Sequence, residues 1–393
     1  MRSVLRNLAL TVLVAAVLGL CPSAPASEPV GRLRFVRLTM DQGLSNNSVY
    51  CLHQDRAGFL WFGTFAGLNR YDGTGFSVYK PGRSVWGDNI PGSLQGSVVF
   101  ALEEDSAGRL WVGTDGGGLS VYNRATDSFE TFRNQPGKEG LPSDRVFSLE
   151  VDPSGGLWIG FGGGGLAHRD PASGVISRLE PPTGLKFTSV RCLQAQPDGR
   201  VLVGTEEAGL LVYEPSQRRF SRLRLESQPA GGGTIRALAV GPDRRTWIGT
   251  ASGSVEVLAP GGARAQQVLP AGSSAVRALA FDVSGRLWVG YESEGFAILE
   301  VSSKTPRMVY RDASLGNVRA IGSDRNGLIW LTMKDGGILS HDPRSERFTR
   351  FSMASVRGLA EMRSGDVLAG TDGSGLFRIR SRAGEAVPEA LPK

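Results

Sequence analysis

Eight positions, set roughly 40 to 50 residues apart, carry the side chains best able to do chemistry: Tyr50, Phe100, Phe147, Arg191, Arg236, Arg277, Arg319 and Arg357. Each follows the first residue of a short apolar run, as in Val49-Tyr50-Cys51-Leu52 and Val276-Arg277-Ala278-Leu279. A guanidinium fork pairs with two oxygens of a carboxylate or sulfate, and an aromatic face stacks on a pyranose ring. Brought to one place, three aromatics and five arginines would suit an anionic sugar. The same arginines have an alternative use as ion-paired framework. Acids stand in the turns of four of the five arginine repeats: Glu206 and Glu207, Glu292 and Glu294, Asp335, and Asp372. Trp86 adds a ninth candidate, because it alone among the tryptophans lies off the repeated phrase, in the connection spanning 81–97. A lone aromatic on a long connection suits ligand or partner contact, or a seal of the loop onto the body.

Other reactive residue types do not assemble. His53, His168 and His341 fall in different repeats without ligand spacing, so no metal centre is expected. Residues Gly162–Gly165 are followed by no Gly-Lys-Ser/Thr and read as a tight turn, not a phosphate loop. The recurring Asp-x-x-Gly turns lack the acid-rich spacing of a calcium loop. No nucleophile, base and orienting acid can be grouped, so no catalytic residue and no cofactor are assigned. Cys51 and Cys192 share one repeat position in distant repeats and are expected to be small buried residues without a disulfide.

The elements that must position these residues come from the repeat itself. Asp-x-x-Gly-x-Leu-Trp-x-Gly-Thr, a Gly-rich turn and a further apolar run recur eight times. Its glycine is Gly63, Gly113, Gly160, Gly204, Gly249, Gly290 and Gly370, with Thr332 in the seventh copy. Four short strands per copy at this period predict an all-β fold, a single β-propeller of antiparallel four-stranded blades. The repeated Trp is expected to be core between blades. The eighth copy lacks an obvious fourth strand, and residues 33–38 offer a spare one. Eight blades over 27–381, closed by that N-terminal strand, with a polar tail at 382–393, is the simplest count. A seven-bladed ring with one irregular unit is the alternative.

The start of the chain has Arg2 and Arg6, an apolar run over 8–20 and Ala24-Pro25-Ala26, the pattern of a signal peptide at 1–26. Leu20 before Cys21 disfavours the lipoprotein variant. No other stretch suits a transmembrane helix, so a periplasmic or secreted protein is expected. The formal charge is +6, with two of the positive charges in the leader, and export argues against nucleic acid as a partner.

The phrase from Gly43-Leu44-Ser45-Asn46-Asn47-Ser48-Val49 through Asp55, Gly58, Leu60-Trp61-Phe62-Gly63-Thr64 and Gly67-Leu68-Asn69-Arg70-Tyr71-Asp72 resembles the two-component regulator propeller repeat. That resemblance implies a periplasmic sensor propeller of the kind found in hybrid two-component systems, often for oligosaccharides. The sequence given carries no kinase, receiver, cyclase or DNA-binding region, so the expectation is a binding module acting with a membrane receptor or another protein. The ligand face would be the one formed by the B–C turns and the D-to-A connections. Two rival readings are a lyase-type propeller enzyme and a truncated sensor ectodomain.

Overall fold

The computed structural model describes residues 33–82, 90–135, 140–228, 232–303, 305–344 and 356–391, the last without 365, 373, 383 and 384. The segment 1–26, read as a signal peptide, and Trp86 both lie outside the described residues.

Eight sheets of four antiparallel strands, A to D, form, and all but the seventh draw their four strands from one repeat. In the first, A is Val49–Gln54, B Leu60–Thr64, C Gly67–Tyr71 and D Phe76–Tyr79. The fifth gains a two-residue parallel edge strand, Arg224–Leu225. The chain divides into two compact units, residues 32–348 with seven sheets and the C-terminal residues 349–393 with the eighth.

Within residues 32–348 each strand A packs against the next, and the seventh, Val318–Ser323, packs against the first, so seven blades close on one another. At this seam the Phe62 and Trp330 rings lie 5.9 Å apart. Ser48 Oγ donates to Asp335, and Arg325 donates its backbone N–H to Gln54 Oε1 at 2.8 Å. The N-terminal strand does act as a closing strand, but in a different sheet from the one expected. Val36–Leu38 pairs with Ile338–His341 and completes the seventh blade. The eighth sheet draws its own fourth strand, Glu385–Ala390, from the tail expected to be without one. The eight four-stranded antiparallel sheets match the expected count of eight, seven in residues 32–348 and the eighth in the C-terminal unit.

Two contacts explain the repeated phrase. The first is the Asp–Trp bond. Trp61, Trp111, Trp158, Trp288 and Trp330 donate their indole N–H to Asp55, Asp105, Asp152, Asp282 and Asp324 at 2.7–3.0 Å. In the fifth blade Gly241 stands where the Asp would be, and the buried Trp247 Nε1 has no partner. The six tryptophans are at most 5% exposed, which makes them core.

The second contact is between the strand-B glycine and the first residue of the next blade's strand A. A Cβ at Gly63, Gly113, Gly160 or Gly290 would stand 2.6–2.7 Å from a methyl of Val99, Val146, Val190 or Val318. Glycine is required there because the neighbouring blade occupies the space of a side chain.

Strand A has no partner strand on its channel side, so amides turned that way need other acceptors. Glu150 accepts the Ala195 N–H of the next blade and a Gln194 amide N–H, each at 2.9 Å. Glu103 caps Val151 in the same way. Burial pushes the Glu150 carboxyl up to about 7 from an ordinary value of 4.5. Burial, reinforced by the nearby Glu150 charge, also raises Glu103 well above the usual range.

Two outcomes follow. Gly113→Ala should lower stability by about 1–3 kcal/mol, the usual range for overpacking. Gly75→Ala, where nothing lies within 4 Å of the added methyl, should stay within about 0.5 kcal/mol in the same denaturant titration. The raised Glu150 favours the protonated folded form. Its stabilisation is complete below the ordinary carboxyl value and is lost as pH rises through about 7. Glu150→Gln keeps both acceptor contacts, so it should lessen the fall in melting temperature between pH about 5 and about 8. An unchanged pH profile would contradict that assignment.

Candidate functional site

In every sheet strand A carries a β-bulge, and the unpaired residue is the second one. A bulge removes one residue from the ladder and re-aims its side chain. In residues 32–348 the first, third and fourth residues of each run stay committed to packing. The second is free of it and turns to the mouth of the channel. Tyr50, Phe100, Phe147, Arg191, Arg236, Arg277 and Arg319 there line one cavity of about 440 Å³. Arg357 holds the same bulged position in the eighth sheet, in the separate C-terminal unit, and there pairs with Asp372 at 2.6 Å.

These seven side chains form a continuous girdle. Arg319 lies over the Tyr50 ring at 5.4 Å. Tyr50 and Phe100 meet edge to face at 5.0 Å, as do Phe100 and Phe147 at 5.3 Å. Arg191 then lies over the opposite end of this arc, 4.2 Å from the Phe147 centroid. Room for the Phe147 ring comes from Gly162 in the B–C turn, where a Cβ would collide with it.

The arginine arc is incompletely neutralised. Glu206 bonds Arg191 Nε at 2.7 Å and also reaches Arg236 of the next blade at 3.6 Å. Glu292 pairs with Arg277. Asp335, a candidate partner for Arg319, is taken by Ser48 instead. Glu207 binds Thr188, and Glu294 pairs with Arg311. Four guanidinium groups therefore share two bonded carboxylates, with Arg319 over Tyr50 and within the charge fields of Glu292 and Asp335. The Nε atoms of Arg236, Arg277 and Arg319 are buried and without hydrogen-bond partners.

Burial, and after it the charge of Arg277, lowers both Arg236 and Arg319 below the ordinary guanidinium value. Burial works to raise Glu206, but its hydrogen bond and charge contact with Arg191 win, and it lies below the usual carboxylate range. The Arg277 hydrogen bond holds Glu292 low in the same way. The cavity is thus a positively charged mouth with one aromatic wall.

The B–C turns and D-to-A connections do meet at this end. Arg145 reaches Asp115 at 2.8 Å, and Arg133 reaches Asp144 at 2.8 Å. The histidines stay apart as the spacing implied. His168 Nε2 lies 3.1 Å from Asp152 Oδ2, His341 Nδ1 donates to the Arg34 carbonyl at 2.8 Å, and burial keeps His53 below its usual value. Among the described residues no three His, Cys, Asp or Glu stand close enough to hold a metal ion. Cys51 and Cys192 are free, and burial pushes both thiols up to about 12. A larger open groove of about 940 Å³ lies between the third and fourth blades. Its aromatic residues Trp158, Tyr213 and Phe220 are buried, and charges of both signs line it, so nothing there converges on one ligand type.

Solved structures share this fold. The extracellular domain of BT3049 from B. thetaiotaomicron, described as a hybrid two-component system, is 23% identical with a TM-score of 0.70. The match covers 91% of this chain and 49% of that one. The extracellular domain of BT4673 from the same organism is 21% identical, with a TM-score of 0.63, over 92% and 48%. This chain thus spans about half the length of those ectodomains. Virginiamycin B lyase from Staphylococcus aureus is 13% identical with a TM-score of 0.60, over 79% of this chain and 98% of its own. No curated protein matches the sequence. Residues 43–66, 93–116 and 140–163 match the two component regulator propeller model.

Proposed function

We propose that the protein is a non-catalytic, extracytoplasmic sensor propeller that binds an anionic oligosaccharide at the girdle. One observation carries this reading: four inward guanidinium groups share two carboxylates beside an unbroken aromatic wall. An acidic sugar has a group for each arc, an anion for the arginines and a ring face for Tyr50, Phe100 or Phe147. The likeness to ectodomains of two-component systems supports a sensing role, and the leader-like start of the sequence supports export. Among the described residues no helix is long and apolar enough to cross a membrane, in keeping with a receptor protein as the partner that carries the signal.

The lyase reading is weaker at this site. The acids at the girdle, Glu206 and Glu292, are bound to arginines and held ionised below the usual range. A carboxylate so stabilised is a poor proton acceptor at neutral pH.

Calorimetry with matched neutral, uronic and sulfated oligosaccharides tests the reading. Binding should favour the acidic members and weaken as salt rises. Arg319→Ala should cost about 10- to 100-fold in affinity, the scale of one hydrogen bond to a charged group. Tyr50→Ala should weaken charged and neutral sugars alike. Silence across the panel with the fold intact, or turnover of any of the sugars, would sink it.

A further inference from the structure

The four arginines of the girdle are not equivalent, and their order around the ring sets two of them apart. Arg191 in the fourth blade is hydrogen bonded to Glu206, and Arg277 in the sixth to Glu292. The other two have donors to spare. Arg236 in the fifth blade approaches Glu206 only with Nη1 at 3.6 Å, too far for a hydrogen bond. Arg319 in the seventh lies over the Tyr50 ring and, among the described residues, forms no ion pair.

The sixth blade keeps these two arginines apart. Both feel the Arg277 cation and the Glu292 carboxylate, so the bonded pair lies between them. Its hydrogen bond to Arg277 holds Glu292 ionised. A single anion seated midway, over the sixth blade, would meet that carboxylate as a like charge. An anion on either side of it meets a guanidinium with free donors instead.

The aromatic arc says what joins the two anions. In a closed ring of seven, the fifth blade stands across the mouth from the first and second. Arg236 therefore lies across the cavity from Tyr50 and Phe100, while Arg319 adjoins Tyr50. A sugar ring stacked on that wall has one cation at its flank and another across the opening. The cavity, about 440 Å³, has the scale of a small-ligand site and suits a short oligosaccharide.

We propose that the ligand of the girdle is doubly charged, a short oligosaccharide with two separate anionic groups, one bound by Arg236 and the other by Arg319. This rests on the reading of the girdle as an acidic-sugar site and adds the number and placement of the charges.

Disaccharides with two, one or no anionic groups test this by calorimetry. One series is digalacturonic acid with its mono- and dimethyl esters, and the other is lactose with two, one or no sulfates. In a series that binds, the doubly charged member should bind about 10- to 100-fold tighter than the singly charged one, the scale of one further hydrogen bond to a charged group. Arg236→Ala and Arg319→Ala should each cost about that factor with the doubly charged sugar, and the two losses should multiply in the double variant. Each substitution leaves Glu206 and Glu292 their own arginines, so an unchanged melting temperature should accompany the loss. Equal affinity for one and two charges, or losses that do not multiply, would mean one shared anion and overturn the inference while the girdle kept its acidic sugar. A preference for two charges that survives both substitutions would overturn it as well. If the wild type binds no member of either series, the reading of the girdle itself falls, and this inference with it.

Discussion

Blade spacing in this molecule depends on a single contact, a β-branched side chain of one blade resting where the preceding blade has a glycine. Because even one methyl would not fit, the sheets approach closely enough for their strand-A edges to surround a narrow channel. Six of the seven joints use it. The seventh has Thr332 in place of glycine, and its hydroxyl accepts the Ala320 N–H of its own blade at 3.0 Å. That joint is held instead by Ser48 on Asp335, by Arg325 on the first blade, and by the N-terminal strand in the seventh sheet. The one joint that departs from the repeat is the one where the chain must meet itself.

The bulge gives this packing scheme a lined cavity. Strand A spends its first, third and fourth residues on neighbouring blades, and those residues stay small or aliphatic throughout. The bulged second residue has no ladder partner and little packing duty, so its identity can change from blade to blade without loss of the ring. Here it changes from aromatic in blades 1 to 3 to arginine in blades 4 to 7. Variation at this position beside constancy at its neighbours is what a rigid scaffold with a tunable lining looks like.

That division also explains what the sequence revealed. Blade number per repeat, the buried tryptophans, the turn glycines and the seven girdle residues were all readable, because each follows from a local pattern repeated in register. Apolar third and fourth residues side by side, as in Cys51-Leu52 and Ala278-Leu279, were the trace of the bulge, which strict alternation would not produce. Partner choice was not readable. Asp335 and Glu206 look alike as turn acids, yet one serves Ser48 across the seam and the other bridges two arginines in adjacent blades. The eighth repeat keeps the strand-A valine, strand-B glycine and bulge of the others, although Leu368 stands where most repeats have tryptophan.

The electrostatics of the girdle support its proposed use as a binding site over a purely structural one. A purely structural set of arginines would be expected to end with each guanidinium matched by an acid, since an unmatched buried cation is costly. Arg191 and Arg277 meet that standard, but Arg236 shares the acid of Arg191 at 3.6 Å, and Arg319 lies over Tyr50 and feels Glu292 and Asp335 without a direct ion pair. Burial first, and after it the charge of Arg277, depresses Arg236 and Arg319, and the second part is like-charge crowding that an incoming anion would relieve. The two glutamates fix the positions of their arginines without cancelling the field of the whole arc. Aromatic residues opposite exclude water from one side and strengthen what charge remains. Such an arrangement is poorly explained as packing, because replacing Arg319 with an aliphatic residue would ease both the crowding and the burial.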